Sequence, residues 1–140
     1  MTAKGRLLGV DYGAVRVGLA VCDSERIIAS PLTIYHRRDG ERDADYFKEL
    51  VRSEQIVGLV VGLPVHMSGE EGGKAKEARA FGDRLASVTG LPVVYWDERY
   101  TTADAESHLR SAGLSLQQRK ERLDKVAAQI LLQAYLDATK

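Results

Sequence analysis

Three acidic positions, far apart in the sequence, carry the residue types best suited to joint chemistry. Asp11 closes one apolar segment, and the pair Asp97-Glu98 follows another. Asp124 lies at the margin of the apolar stripe of a predicted helix, where a carboxylate is costly unless a cation compensates it. Each position also has an ordinary explanation. Charged residues at strand ends are commonly solvated, and Lys120 precedes Asp124 by four residues, the spacing of a helical ion pair.

Brought together, these carboxylates predict a site for divalent metal ions. Clustered carboxylates repel one another and retain protons unless a cation neutralises them. Mg²⁺ (or Mn²⁺) suits oxygen ligands and keeps waters that a substrate phosphate displaces. Two such ions, roughly 4 Å apart, activate a water and stabilise the leaving oxygen in phosphodiester hydrolysis. Cysteines and histidines do not occur at zinc-like spacing. Position alone leaves the choice between Asp97 and Glu98 open.

The hydrophobic pattern predicts the elements that would position these acids. Strands are predicted at 6–11, 15–21, 27–35, 56–62 and 91–96, and helices at 43–54, 74–88, 101–111 and 118–138. The first three strands have short connections typical of an antiparallel meander, and the other two alternate with helices, as parallel strands do. We therefore expect an α/β fold in which a mixed five-stranded sheet is flanked by helices. A single domain over residues 1–140 accommodates it.

Composition restricts the setting and the mode of binding. No apolar run approaches the roughly 20 residues that span a bilayer, the start has no secretory signal pattern, and the lone Cys22 lies in an apolar run. These features favour a cytoplasmic protein with no membrane partner. Twenty basic and twenty acidic residues cancel. Nucleic-acid binding would then depend on a local patch, on metal ions or on a partner, and not on an overall basic surface.

Four segments, in order along nearly the whole chain, resemble those of the YqgF family. Members of that family are RNase H-like proteins described as pre-16S rRNA processing nucleases and as Holliday junction resolvases. The segments are Gly9-Val-Asp11-Tyr-Gly13-Ala-Val-Arg16-Val-Gly18-Leu-Ala20, Val61-Gly62-Leu-Pro64, Asp97-Glu98-Arg99-Tyr-Thr-Thr102 and Arg122-Leu-Asp124-Lys-Val-Ala-Ala128-Gln-Ile-Leu.

The resemblance implies an RNase H-like fold and a catalytic, metal-binding set of Asp11, Glu98 and Asp124, which selects Glu98 over Asp97. It also implies an endonuclease of structured RNA that matures the 5′ end of pre-16S rRNA, with two metal ions when substrate is bound and pre-ribosomal particles as partners. A Holliday junction resolvase acting on branched DNA is the first alternative, and a non-catalytic nucleic-acid or ribosome-associated module is the second. Both a monomer and a homodimer fit the sequence.

Five further residues are predicted to contact nucleic acid: Gly13, Arg16, Lys76, Arg79 and Arg99. Glycines in the first hairpin would let a phosphate approach the backbone, and arginines hold phosphate in a forked contact. Turn geometry and surface ion pairs are the alternative explanations of the same residues.

The chain departs from the family pattern at two places. The loop at 63–73 carries His66-Met-Ser68-Gly69 where relatives commonly have Asn-Met-Asp-Gly, which leaves substrate contacts and the role of His66 open. Lys125 follows the helical Asp where a small residue is common. Asp11-Tyr-Gly13 also resembles the first phosphate loop of actin-like ATPases, but those proteins build their cleft between two such domains and this chain has the length of one.

Overall fold

The structure is a computed structural model that describes residues 4–65, 68–98 and 115–140, with side chains described outside 116–125. Its strands are β1 (Arg6–Asp11), β2 (Arg16–Cys22), β3 (Ala29–His36), β4 (Ile56–Leu63) and β5 (Val93–Asp97). Its helices are α1 (Gly40–Ser53), α2 (Gly73–Thr89) and α3 (Leu116–Ala138). The predicted helix at 101–111 lies outside the described residues. No helix in the described part of the chain is long and apolar enough to cross a membrane.

The five strands form one mixed sheet in the order β3-β2-β1-β4-β5. β1 pairs antiparallel with β2, and β2 with β3. β4 runs parallel to both β1 and β5. The predicted meander and the predicted pair of parallel strands are thereby confirmed. This order places the carboxyl ends of the parallel strands β1, β4 and β5 side by side at the same end of the sheet.

Helices cover both faces of this sheet. On one face, Val10 and Leu59 pack with Phe47 of α1 and with their neighbours, beneath α1 and α2. The other face packs Leu7 and Val60 with their neighbours beneath α3. β1 and β4 are buried on both sides, as expected of central parallel strands, and this explains their continuous apolar sequence.

The third strand begins two residues later than predicted. Ile27 and Ile28 have strong β propensity, yet both are exposed, by 53% and 62%. Asp23 Oδ1 accepts hydrogen bonds from both of their backbone N–H groups, at 2.8 and 2.7 Å, and Arg26 has φ of 59°. The Asp23 side chain thus extends the turn and outweighs local propensity. Pro31, predicted at an edge or bulge, lies on edge strand β3 beside a register shift.

The ends of the helices also follow local capping chemistry. Asp39 caps α1, because its Oδ1 accepts from the backbone N of Arg42 at 2.8 Å. The helix consequently begins at Gly40 and not at the predicted position 43. α2 ends as predicted at Gly90, whose φ of 73° forms a left-handed cap.

Candidate active site

Asp11 ends the central strand β1, among neighbours that hold it rigidly. The preceding Val10 is fully buried and pairs with Val61 of β4. On the other side Asp11 lies opposite Gly18 of β2. The Asp11 carboxylate is thus partly buried at the border of the core. The strands β2 and β4, which pair with β1 on either side, hold its backbone in place.

Three residues in register form a row across the sheet beside this carboxylate. Asp11 faces Gly18, and Gly18 faces Ile34 of the edge strand β3. A Cβ placed on Gly18 would lie 3.6 Å from Asp11 Cβ and 3.8 Å from Asp11 Oδ2. Because Gly18 has no side chain, the surface of the sheet stays open between Asp11 and the edge strand β3.

Glu98 approaches Asp11 from the other side. It follows β5 directly, and its side chain lies over Gly62, one residue beyond the β4 partner of Val10. A Cβ built on Gly62 would be 3.0 Å from Glu98 Cδ and closer still to Oε1. Gly62 thus makes room for Glu98. The family-like segment at 61–64 contains this glycine, but sequence reasoning assigned it no role. An isolated glycine within a β-branched run was the available signal.

The carboxyl groups of Glu98 and Asp11 hydrogen-bond to each other. Burial, the negative charge of Asp11, this hydrogen bond and the charge of Asp97 together raise the pKa of Glu98 to about 8. Two carboxyl groups this close share a proton at neutral pH unless a cation replaces it. The donor set therefore fits a hard divalent ion, which prefers carboxylate oxygens.

Helix α3 reaches the same region through close packing on β1. A Cβ on Gly9 would meet Leu132 Cβ at 2.9 Å and the Ala128 carbonyl at 3.1 Å. The Cβ of Ala128 would also lie 3.7 Å from a Cβ built on Gly18. Asp124 is within α3, four residues or about one turn before Ala128, and its side chain lies outside the described part of the structure. Among the side chains that are described, no group of three or more potential metal ligands occurs.

A network around Tyr12 supports the loop after Asp11. The Tyr12 ring contacts Phe81 of α2, with ring centroids 5.1 Å apart. Arg37 donates to Tyr12 Oη at 3.1 Å and to Asp43 Oδ2 at 3.2 Å, and its guanidinium lies over both rings. Sequence reasoning did not find this network, because its members come from four separate elements with no common motif.

The residues predicted to contact nucleic acid differ in their surroundings. Gly13 lies in the hairpin, where a Cβ would collide with the carbonyl oxygen of Arg16, so a tight turn alone requires glycine. Arg16 and Lys76 are exposed. The Arg79 guanidinium makes a forked ion pair with Glu71, at 2.6 and 2.7 Å, and lies over the Tyr95 ring. Arg99 and His66 fall outside the described residues.

A cavity of about 350 Å³ opens beside Asp11. The hairpin residues Tyr12 to Arg16, Gly18 and Ile34 complete its lining. Its position makes the outer face of Asp11 accessible to a ligand that approaches over the hairpin.

Comparison with known proteins places this arrangement in a family. The family model described as "RuvX: Holliday junction resolvase" matches residues 5–138. The chain belongs to the RuvX family. A relative from Rhodopirellula baltica is 46% identical over 99% of this chain and 80% of its own length. A relative from Anaeromyxobacter sp. is 42% identical over 94% of this chain and 96% of its own length. Both carry the name "Putative pre-16S rRNA nuclease". RuvX and YqgF are two names of the same family, so the resemblance that the four sequence segments predicted is confirmed. The chain is a nuclease of this family.

Solved structures agree on the fold. T. thermophilus RuvC in complex with Holliday junction substrate superposes with a TM-score of 0.56, at 15% identity and over 94% of this chain and 95% of that one. Fowlpox virus resolvase superposes with a TM-score of 0.52, at 8% identity and over 96% and 98%. The RuvX family member thus has the expected RNase H-like fold.

Proposed function

We propose that the chain is a metal-dependent endonuclease that hydrolyses phosphodiester bonds in structured RNA, in the 5′-end maturation of pre-16S rRNA in the cytoplasm. The observation that carries the proposal is the contact between Asp11 and Glu98 at a partly buried position, where burial and then Asp11 raise the pKa of Glu98 to about 8. Such a pair is unfavourable without a cation and favourable with one. The names of the RuvX relatives support RNA as the substrate.

Asp11, Glu98 and Asp124 would hold one or two Mg²⁺ or Mn²⁺ ions. The position of Asp124, one helical turn before Ala128, supports its inclusion. The bound ions would supply charge neutralisation and Lewis-acid activation for the displacement at phosphorus. Water attacks phosphorus, the bond to the 3′ oxygen breaks, and the products carry a 5′-phosphate and a 3′-hydroxyl.

The residues around the carboxylates would bind and orient the RNA. The absence of a side chain at Gly18 and the tight turn at Gly13 would let a phosphate approach the backbone of the sheet. Arg16 would hold that phosphate, because its exposed guanidinium lines the cavity beside Asp11. Lys76, Arg79 and Arg99 would contact the RNA backbone farther away. Arg79 would have to exchange Glu71 for a phosphate, since the two are paired.

The test is cleavage of precursor rRNA by the purified protein with Mg²⁺ or Mn²⁺. Asp11→Asn and Asp124→Asn should each reduce the rate by about 100-fold or more, since each removes a charged ligand. Asp137→Asn provides a matched control on α3, where the carboxylate is exposed and pairs with Lys140. Cleavage that survives in both site variants would contradict the mechanism.

A second candidate, resolution of four-way DNA junctions, is favoured by the description of the family model. A resolvase requires two coordinated active sites. Precursor rRNA and junction DNA should therefore be offered side by side, with the oligomeric state measured on the junction. Paired symmetric incisions by a dimer, without RNA cleavage, would replace the RNA proposal. RNA binding without metal-dependent cleavage of either substrate would instead favour a non-catalytic module.

A further inference from the structure

A second cavity, of about 890 Å³, lies between edge strand β3 and helix α1. Its strand side runs from Thr33 to His36, and its helix side includes Arg42, Tyr46 and Leu50. Ile34 lines both this groove and the cavity beside Asp11. The linings of the two cavities therefore share this one residue of the edge strand.

Each of the two cavities is lined by one exposed arginine. Arg16 lines the Asp11 side and Arg38 lines the groove. The hairpin and β3 hold them in register, because Arg16 pairs with His36 and the Arg37 backbone N donates to the Val15 carbonyl at 2.9 Å.

These two side chains differ from the other arginines whose side chains are described. Neither makes a hydrogen bond or ion pair with the described part of the chain, and both are exposed. The other described arginines bind carboxylates or carbonyls: Arg6, Arg26, Arg37, Arg42, Arg52, Arg79 and Arg84. The two uncommitted guanidinium groups thus belong to residues that line these two cavities, where they are available to bind phosphates.

We propose that the groove between β3 and α1, entered past Arg16 and Arg38, binds the single-stranded RNA segment that flanks the cleaved phosphodiester. The inference rests on the proposed function and names the path of its substrate. Adjacent strands lie about 4.8 Å apart, so β3 is roughly 10 Å from Asp11. This distance is on the order of three stacked nucleotides at ~3.4 Å each.

The charge distribution sets the direction of this path. Among the charged residues that line the groove, Arg38 and Arg42 are at the amino-terminal end of α1, where Arg42 also pairs with Asp39, and Asp45 and Glu49 follow toward its other end. Tyr46, which stacks on Tyr35 with centroids 4.0 Å apart, adds an aromatic wall suited to bases. We therefore expect the RNA to enter at the arginine end and to extend only a few nucleotides into the groove.

A peptide strand added to the edge of the sheet fits the groove less well. Pro31 provides no backbone donor on β3, and the register shift opposite it interrupts the regular edge. The two uncommitted guanidinium groups, in contrast, suit an anionic partner.

The test compares two RNAs that differ only in the flank. One ends within about two nucleotides of the cleaved bond, and the other continues for about eight single-stranded nucleotides. Arg38→Ala should raise KM about fivefold for the extended RNA, leave kcat unchanged and leave the short RNA unaffected. Arg38→Lys should restore part of the affinity, because it keeps the charge. Lys48→Ala is the matched control, since Lys48 is an exposed cation of α1 that does not line the groove.

The Arg38 side chain makes no hydrogen bond or ion pair with the described residues, and the backbone N that donates to Asp43 is kept in the variant. An equal loss on both RNAs, or a loss on neither, would overturn the inference. Anisotropy titration of both RNAs into Asp11→Asn and into Asp11→Asn with Arg38→Ala measures the same difference without cleavage. An absence of RNA binding in the groove is thereby distinguished from an absence of the proposed nuclease activity.

Discussion

At the scale of single residues, Glu98 is a carboxyl group with a strongly raised pKa. Its pKa is raised to about 8 by burial, by Asp11 and by Asp97. Its contribution to stability is greatest at low pH, where folded and unfolded chains are both protonated. Above pH 4.5 the unfolded chain releases this proton while the folded chain retains it. The metal-free protein should thus lose stability as pH rises toward 8.

We expect this loss to be on the order of 2 kcal/mol between pH 5 and pH 8. Urea denaturation in the presence of EDTA, repeated across this range, measures it. Glu98→Gln should flatten the profile, because the amide does not titrate, whereas Asp137→Asn should not. Millimolar Mg²⁺ should restore stability at pH 8, since ligands that bind only the folded chain stabilise it. A flat profile for the unmodified protein would contradict the assignment.

At the scale of elements, strand β4 controls where Glu98 lies. Gly62→Ala places a methyl group against the end of the Glu98 side chain, 3.0 Å from Cδ. That side chain is flexible, so it should move aside at a cost of less than about 1 kcal/mol in stability. Cleavage should nevertheless fall at least tenfold, because a small displacement of a ligand disrupts the site. Rates and urea midpoints measured together distinguish the two effects.

Gly73→Ala is the control for this substitution. A Cβ at Gly73, at the start of α2, meets nothing within 4 Å, so both activity and stability should be retained. Equal activity in the two variants would show that Gly62 has no part in placing Glu98.

The turn between β3 and α1 depends on one buried carboxylate, Asp43, which is 3% exposed. Burial acts to raise its pKa, but hydrogen bonds from Tyr35, the Arg38 backbone and Arg37 outweigh that effect and hold the pKa below its usual value. Asp43 therefore stabilises the fold above about pH 4, and this contribution is lost as pH falls further.

Asp43→Asn should destabilise the protein by about 2–4 kcal/mol, because it breaks a buried charged network. Urea denaturation at pH 7 measures the change. Asp45→Asn, at an exposed position of the same helix, should leave stability within about 0.5 kcal/mol. Equal stability of the two variants would contradict the proposed role of the network.

At the scale of the whole molecule, a net charge of zero limits how nucleic acid is bound. Among the arginines whose side chains are described, Arg16 and Arg38 are the two that remain available to contact phosphate. If about two to four phosphates are neutralised, log K for single-stranded RNA should fall with log salt at a slope of about −1.5 to −3. Anisotropy titrations of the Asp11→Asn protein across salt concentrations measure this slope. A slope beyond about −6 would require a basic surface larger than these residues provide.

The sequence determined the elements and the family. The order of strands and helices, the buried central strands and the edge position of Pro31 follow from local patterns of apolar residues, turns and prolines, which require no knowledge of distant contacts. Four motif segments identified the family and selected Glu98 over Asp97. The start of β3 was misplaced because the Asp23 side chain overrides the propensity of Ile27 and Ile28.

The tertiary structure alone decided which residues touch. The hydrogen bond between Asp11 and Glu98 depends on β1, β4 and β5 lying side by side, and the space for Glu98 depends on the register that brings Gly62 beneath it. The same holds for the support of Tyr12 by Arg37 and for the position of Ile34 in the linings of both cavities. Such contacts join residues distant in sequence, and strand order and register determine them, whereas local periodicity does not.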